Sequence, residues 1–154
     1  MTCKVHLVAD GKGRPLGLVL TSGNAPDSTL MQTTIETITV RTATLGRPRV
    51  RPAQVLADKA YTAKANRDYL TTRGIKVTIP ERDDQKANRA RRGSAGGRPR
   101  TFDTNAYKGR NVVERCFNKL KNWRGIATRY DKTARSYLGG ITLAATLIWI
   151  KSTV

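Results

Sequence analysis

The sequence has few of the residues that support thiol, imidazole or disulfide chemistry. Cys3 and Cys116 lie far apart and outside any Cys-x-x-Cys or Cys/His cluster. This argues against a structural zinc site or a disulfide framework and fits a reducing cytoplasm. His6 is the only histidine, and because no Ser/His/Asp pattern surrounds it, we interpret it as a strand residue. Any catalysis must therefore come from carboxylates and metal ions.

The sequence also lacks a leader peptide and a long apolar run. Met1–Asp10 has neither a basic n-region nor an extended apolar stretch. The most apolar segment, Leu138–Ile150, is shorter than the ~20 residues that a helix needs to cross a bilayer, so we expect a core helix. We therefore expect a cytoplasmic protein with no membrane partner.

Acidic residues are scarce. Eleven Asp and Glu stand against 29 Lys and Arg, which gives a formal net charge of +18 over 154 residues. Such a charge favours a polyanion through phosphate contacts and counterion release, so nucleic acid is the first partner to consider. A ribosomal or other structural basic protein explains the charge equally well. The hydrophobic fraction of 38% is enough for the packed core of one domain.

Two apolar runs near the start predict a β-hairpin. Lys4–Ala9 alternates apolar and polar residues, Asp10–Gly13 offers turn chemistry, and Leu16–Thr21 folds back as a second strand. Asp27 is placed to cap a following helix, whose moderate apolar stripe consists of Leu30, Ile35 and Ile38.

A strand, a helix and a further strand follow. Val55–Ala57 predicts a short strand that places Asp58 at its carboxyl end. Ala63–Arg73 has helical spacing, Gly74 is a plausible C-cap, and Lys76–Pro80 predicts another strand. Alternation of strands and helices indicates an α/β fold.

A basic segment occupies about residues 84–102. Lys86–Arg100 contains no acid and no periodicity, which predicts a flexible loop. The loop is either a solvated linker or a nucleic-acid contact. We favour the contact, with Arg91 and Arg92 as binding residues, because like charges between glycines can follow a phosphate backbone.

The segment Tyr107–Arg124 carries the most information. On a helix of 100° per residue, Glu114 falls about 40° from Arg110, on one face with Lys121 and Arg124. The core face then contains Val113, Cys116, Leu120 and Trp123. An ordinary amphipathic helix with an Arg110–Glu114 ion pair also explains this pattern. Asp58 favours a catalytic interpretation, because metal-assisted phosphodiester chemistry needs carboxylates from separate elements.

These residues resemble the DDE transposases of bacterial insertion sequences, specifically the insertion-sequence-five group. The similarity runs from about Lys4 to Tyr130 and includes Lys4–Asp10 and Val55–Tyr61. It also includes the family's YREK signature, in which Tyr, Arg, Glu and Lys are separated by two, three and six residues. In this sequence the signature is Tyr107, Arg110, Glu114 and Lys121.

The resemblance implies a ribonuclease H-like catalytic domain over residues 1–154, with a mixed sheet flanked by helices. Asp58 and Glu114 inherit the roles of the second Asp and the Glu of the DDE triad, which bind two Mg²⁺ or Mn²⁺ ions. The implied activity is metal-dependent DNA strand cleavage and strand transfer, on the element ends and the target DNA. The implied state is a nucleoid-associated homo-oligomer.

The resemblance also implies a set of DNA-binding residues. Arg110 and Lys121 contact phosphates near the scissile bond, and Tyr107 helps to position the element end. We add Arg115 and Arg124 from the same helix.

The first Asp of the triad is missing, because its strand would lie upstream of Met1. Asp10 is interpreted as a hairpin-turn residue and Asp27 as a helix N-cap. We therefore expect an N-terminally incomplete domain that lacks its first strand and is a poor enzyme alone. It is either a truncated pseudogene copy or the downstream half of a frameshifted transposase, partnered by an upstream half. The alternative function is a non-catalytic DNA-binding remnant.

Overall fold

The computed structural model describes residues 2–41 and 46–152, which form two compact units. The first unit comprises the described residues of Met1–Pro26, Gln32–Val50 and Asn111–Val154, and the second comprises Asp27–Met31 and Arg51–Arg110. In chain order the strands and α-helices are β1 (Cys3–Ala9), β2 (Pro15–Ser22), α1 (Met31–Glu36), β3 (Gln54–Leu56), α2 (Lys64–Thr72), β4 (Lys76–Thr78), α3 (Asp83–Arg91), α4 (Thr104–Lys108), α5 (Asn111–Lys121), α6 (Arg124–Thr128) and α7 (Ala134–Lys151). Short 3₁₀ helices occupy Asp27–Leu30, Lys59–Tyr61 and Gly93–Gly96.

The predicted hairpin is confirmed as the antiparallel pair β1 and β2, with His6 opposite Val19. Asp10 closes the turn, because its Oδ1 accepts hydrogen bonds from the backbone N–H groups of Lys12 (3.0 Å) and Arg14 (2.9 Å). Its Oδ2 pairs with the Arg14 guanidinium at 2.6 Å. Asp10 is therefore a turn residue, as predicted.

His6 is also a strand residue, as predicted. It is buried in β1, and its Nε2 lies 2.8 Å from the hydroxyl of Thr21 on β2. The imidazole is thus part of the packing of the hairpin.

Helix α1 packs closely on β2. Ile35 and Ile38 are buried, as the apolar stripe predicts. A Cβ atom at Gly17 would overlap the hydroxyl of Thr37 and lie 3.0 Å from the carbonyl oxygen of Thr34. The absence of a side chain at Gly17 therefore allows α1 and the residues just after it to pack directly on β2. Asp27 occupies the first position of the 3₁₀ helix before α1, one residue inside the predicted cap.

Helix α7 contributes most of one core cluster of the first unit. The core cluster consists of Leu120, Tyr137, Ile141, Ala144 and Ala145, and apolar side chains of both hairpin strands pack against it. The expected core helix is thus present. No helix among residues 2–41 and 46–152 is long and apolar enough to cross a membrane.

The single helix expected over Tyr107–Arg124 is wrong, because the structure divides this segment into α4, α5 and α6. Gly109 is the C-cap of α4, and glycine lowers helix stability at that point. Cys116 and Leu120 are buried, as predicted, but Trp123 is 42% exposed at the N-cap of α6. Its place in the predicted core face is therefore also wrong.

The second unit contains the predicted strand, helix and strand. Strands β3 and β4 pair in parallel, and α2 connects them. Gly74 follows α2 with φ of +66°, a conformation that favours glycine just beyond a helix end. The mixture of helices and strands that the sequence predicts is therefore confirmed. The described residues, however, form two separate two-stranded sheets and not one mixed sheet.

The flexible loop expected over residues 84–102 is wrong for its first half, which is helical in α3 and in the 3₁₀ helix Gly93–Gly96. Periodicity could not reveal α3, since none of its residues is buried. Asp83 and Asp84 in its first turn and Arg89 and Arg91 in its last turn suit the helix dipole.

Candidate functional site

Asp58 lies two residues beyond β3, as the strand prediction requires. Its backbone is extended, with φ of −68° and ψ of 162°, and it is the N-cap residue of the 3₁₀ helix Lys59–Tyr61. The carboxylate is exposed and makes no capping hydrogen bond, while the backbone oxygen accepts from the N–H of Tyr61 at 2.9 Å. Asp58 is thus held by its backbone, and its carboxylate faces solvent.

Tyr61 lies beside this carboxylate. Burial of the phenol, together with the negative charges of Asp27 and Asp58, raises the pKa of Tyr61 above its ordinary value. Two carboxylates of the second unit therefore act on one phenol. Tyr61 is not among the predicted site residues, although it belongs to Val55–Tyr61, one of the segments that resemble the transposase family.

Tyr107 and Arg110 belong to the same unit as Asp58. The Arg110 guanidinium lies 5.6 Å from the centre of the Tyr107 ring, at cation–π distance. A Cβ atom at Gly109, between them, would lie 3.6 Å from Leu56 of β3. The end of α4 therefore lies close to the strand that leads to Asp58.

Glu114 and Lys121 belong to the first unit, where both line a cavity of about 900 Å³. Both side chains are on α5 and exposed, seven residues apart, so they lie on one side of the helix. Leu120 and Ile141 contribute to the apolar wall of the cavity. The structure thus brings the Glu and Lys of the signature to one cavity.

Two cations of this cavity were missed by the sequence analysis, Lys4 and Arg129. Lys4 Nζ donates to the carbonyl oxygen of Ala25 at 2.9 Å, and Arg129 Nη1 donates to that of Cys3 at 2.6 Å. Arg129 has left-handed backbone angles, φ 53° and ψ 52°, which are uncommon for a residue other than glycine. A left-handed residue at a helix end leaves little trace in a sequence pattern, so Arg129 could not be singled out.

The remaining predicted DNA-binding residues are all exposed. Arg115 lies on α5, Arg124 begins α6 and Arg91 ends α3, where its guanidinium contacts the side-chain oxygen of Asn88. Arg92 follows α3 and lines a second cavity, in the second unit. No single surface of either unit contains all four.

A free thiol is present in each of the two cysteines. Burial raises the pKa of Cys116 to about 11, so this thiol stays protonated at neutral pH. Cys116 is therefore a core residue of α5 and not a nucleophile.

The donor chemistry of the site suits a hard divalent cation only in part. Asp58 and Glu114 offer carboxylate oxygens, the ligands that Mg²⁺ and Mn²⁺ prefer. Within residues 2–41 and 46–152, however, no three Asp, Glu, His or Cys side chains gather as a metal cluster. Both oxygens of Asp10 are engaged in the hairpin turn.

Comparison with known proteins identifies the family. The family model described as "Transposase DDE domain" matches residues 1–149. The "Putative transposase for insertion sequence element IS6501" of Brucella ovis is 32% identical over 151 residues, which cover 98% of this chain and 100% of that protein. The "Putative transposase for insertion sequence element IS402" of Burkholderia cepacia is 32% identical over 145 residues, covering 94% of this chain and 61% of that protein. No solved structure matches the chain significantly.

The chain therefore belongs to the family of DDE transposase domains. Transposases with this domain act on DNA and use divalent metal ions, and the two relatives are named as putative transposases of insertion sequences.

Proposed function

We propose that this chain is the catalytic portion of a DNA transposase of the insertion-sequence-five group, with a ribonuclease H-like fold. The observation that carries the proposal is the position of its acids. In a chain with eleven acidic residues, one stands exposed just beyond a parallel strand and another stands exposed beside a lysine on an amphipathic helix. These are two of the three acid positions of the family's DDE triad.

In this proposal Asp58 and Glu114 are carboxylate ligands of Mg²⁺ or Mn²⁺, of which the complete site binds two. Divalent ions held by carboxylates activate an attacking oxygen and stabilise a leaving oxygen in phosphodiester cleavage. Two carboxylates are too few to hold two ions, so the complete site requires a third acid. An upstream transposase half with the first Asp would complete the triad.

The cations near these acids would bind the DNA of the element ends and the target. Lys121 and Arg129 line the cavity with Glu114, and Arg110 stacks on Tyr107 in the unit that contains Asp58. Guanidinium and ammonium groups at these places neutralise phosphates and position the strand. The working transposase would be a homo-oligomer on paired element ends, associated with the nucleoid.

A non-catalytic DNA-binding remnant is the second candidate. It is favoured by the absence of a three-acid cluster among residues 2–41 and 46–152. Both candidates predict DNA binding that weakens steeply with salt. They differ in metal binding and in strand cleavage.

The test is Mn²⁺ binding followed by electron paramagnetic resonance, with plasmid nicking as a second readout. We expect Asp58→Asn and Glu114→Gln each to lower Mn²⁺ affinity, on the order of tenfold, because each removes a ligand. Asp131→Asn is the control, since Asp131 is an exposed acid outside the proposed site. Equal Mn²⁺ affinity in all variants would contradict the catalytic proposal. Metal binding with no nicking, even after addition of an upstream half, would favour the remnant.

A further inference from the structure

The chain after α3 turns back over the end of that helix. Gly93 and Gly97 have positive φ angles, +53° and +76°, which give the turn its direction. A Cβ atom at Gly96 would overlap the carbonyl oxygen of Arg89 and lie 2.9 Å from its Cγ. The returning backbone is therefore in direct contact with the last turn of α3, and only glycine permits this contact.

This fold-back creates a cavity of about 750 Å³ between α3 and residues 96–101, which we call the basic cleft. Arg92, Arg98 and Arg100 line it and are exposed. Gln85 and Asn88 add two side-chain amides from α3. The cleft thus presents cations and neutral hydrogen-bonding groups from two facing segments.

One ion pair fixes the wall of the basic cleft. Arg89 makes a bidentate pair with Glu81, with both N–O distances 2.6 Å, and the two side chains are only 20% and 13% exposed. Hydrogen bonds from Arg89 lower the pKa of Glu81 below its ordinary value, and the nearby charges of Arg67 and Arg100 lower it further. Glu81 is therefore ionised at neutral pH and holds Arg89 in place.

The charges of the basic cleft do not cancel. Glu81 is its one lining acid, against Arg89, Arg92, Arg98 and Arg100, so the lining has an excess of three positive charges. Since Arg89 is engaged by Glu81, the excess resides on the three exposed guanidiniums. Planar guanidiniums bind phosphate oxygens in a bidentate manner and serve this purpose better than lysines.

The basic cleft is also anchored to the rest of the second unit. The hydroxyl of Thr62 donates to Gln85 Oε1 at 3.0 Å, which ties α3 to the segment that precedes α2. Buried Arg67 of α2 donates to the same Thr62 hydroxyl at 2.9 Å and to the carbonyl oxygen of Ile79 at 2.7 Å. The α3 wall of the basic cleft is therefore held to the buried part of the second unit.

We propose that the basic cleft is a binding site for the phosphate backbone of DNA, with Arg92, Arg98 and Arg100 as contacts. Glu81, Arg89 and Gly96 are positioning residues that shape it. The proposal rests on the proposed function, because that function supplies DNA as the polyanion. Contacts of this kind fix the register of a duplex and do not read its sequence.

The first test changes the shape of the basic cleft without changing its charge. Gly96→Ala displaces the returning segment, whereas Gly139→Ala, on α7, meets nothing within 4 Å and is the matched control. Affinity for a random-sequence duplex is measured by fluorescence anisotropy over a salt series. We expect Gly96→Ala to lose about tenfold in affinity and to reduce the salt slope by roughly two, since phosphate contacts are lost. Equal affinities of the two variants would overturn the proposal.

The second test separates the effect of the shape of the basic cleft on DNA affinity from the effect of net charge. Glu81→Gln and Asp68→Asn each remove one negative charge and so raise the net charge by one, and Asp68 lies on the exposed face of α2 paired with Lys64. If positive charge alone attracts DNA, both variants bind more tightly than the parent. We expect Glu81→Gln to bind several-fold more weakly than Asp68→Asn, because Arg89 is released. If Glu81→Gln binds DNA as tightly as Asp68→Asn or more tightly, the proposal that the shape of the cleft matters for binding is wrong.

The third test needs no change in the fold. Arg98→Gln and Arg135→Gln each remove one exposed cation, the first from the basic cleft and the second from α7. We expect about a fivefold loss for Arg98→Gln and a smaller loss for Arg135→Gln, and equal losses would count against the proposal. Failure here leaves the Asp58 and Glu114 metal test untouched, and failure of that test leaves this one standing, so the two outcomes are distinguishable.

Discussion

At the residue scale, Tyr61 reports on the charge of Asp58. Burial and the carboxylates of Asp27 and Asp58 raise the pKa of the phenol. In a spectrophotometric titration, one of the five tyrosines should therefore ionise later than an exposed phenol. The stabilisation from the neutral phenol is present below its unfolded value near 10 and is lost as pH rises through the folded value.

Asp58→Asn removes one of the charges that raise this pKa. We expect the late phenolic step to move to lower pH in Asp58→Asn and to disappear in Tyr61→Phe, while Asp131→Asn leaves it in place. The absorbance of phenolate near 295 nm measures it. If the late phenolic step stays at the same pH in Asp58→Asn, the side chains of Tyr61 and Asp58 do not interact.

For Asp10 the shift is in the opposite direction, and it affects stability at acid pH. Burial alone would raise the pKa of Asp10, but hydrogen bonds from Arg14 and Lys12 outweigh it and lower the pKa. Its contribution is therefore present above the unfolded value of 3.8 and is lost as pH falls through the lower folded value. Asp10→Ala should lower the free energy of unfolding by about 1–3 kcal/mol at neutral pH.

Urea unfolding at several pH values tests this prediction, and the difference between the parent and Asp10→Ala should shrink below pH 3.8. Mn²⁺ affinity should not change, because both Asp10 oxygens serve the turn. A lower Mn²⁺ affinity in folded Asp10→Ala would make Asp10 a ligand after all.

At the element scale, the contact of α1 with β2 depends on the missing side chain of Gly17. A Cβ atom there would overlap Thr37 and crowd the carbonyl oxygen of Thr34, so Gly17→Ala should cost about 1–3 kcal/mol of stability. Gly11→Ala, in the hairpin turn, is the control because it meets nothing within 4 Å. Thermal melting followed by circular dichroism compares the two. Equal melting temperatures would show that the helix moves aside without cost.

Elements with strong local signals could be predicted from the sequence. The alternation in β1, the turn residues that precede β2 and the helical spacing of α2 before Gly74 were enough to predict these elements. Helix α3 could not be predicted by periodicity, since it buries nothing and is stabilised by Glu81–Arg89 and by charged ends. The break at Gly109 could not be predicted from the glycine itself, because one glycine inside a helix costs only about 0.5–1 kcal/mol.

At the scale of the whole molecule, the net charge of +18 and the scarcity of acids leave only a few carboxylates as candidates for metal chemistry. The positions of Asp58 after a strand and of Glu114 beside Lys121 could be predicted from spacing. Lys4 and Arg129 could not, because they reach the cavity of Glu114 only through the folding of distant segments. The basic cleft was missed for the same reason, although its arginines were recognised as a basic segment.

Under the proposed function, Asp58 and Glu114 are ligands of the same divalent ions. Fe²⁺ in place of Mg²⁺, with ascorbate and peroxide, generates hydroxyl radicals that cut the polypeptide next to the bound metal. In the chain completed with an upstream half, we expect cuts near both Asp58 and Glu114, and loss of both sets in either Asp58→Asn or Glu114→Gln. Cuts near only one of them, or cuts that persist in both variants, would contradict it.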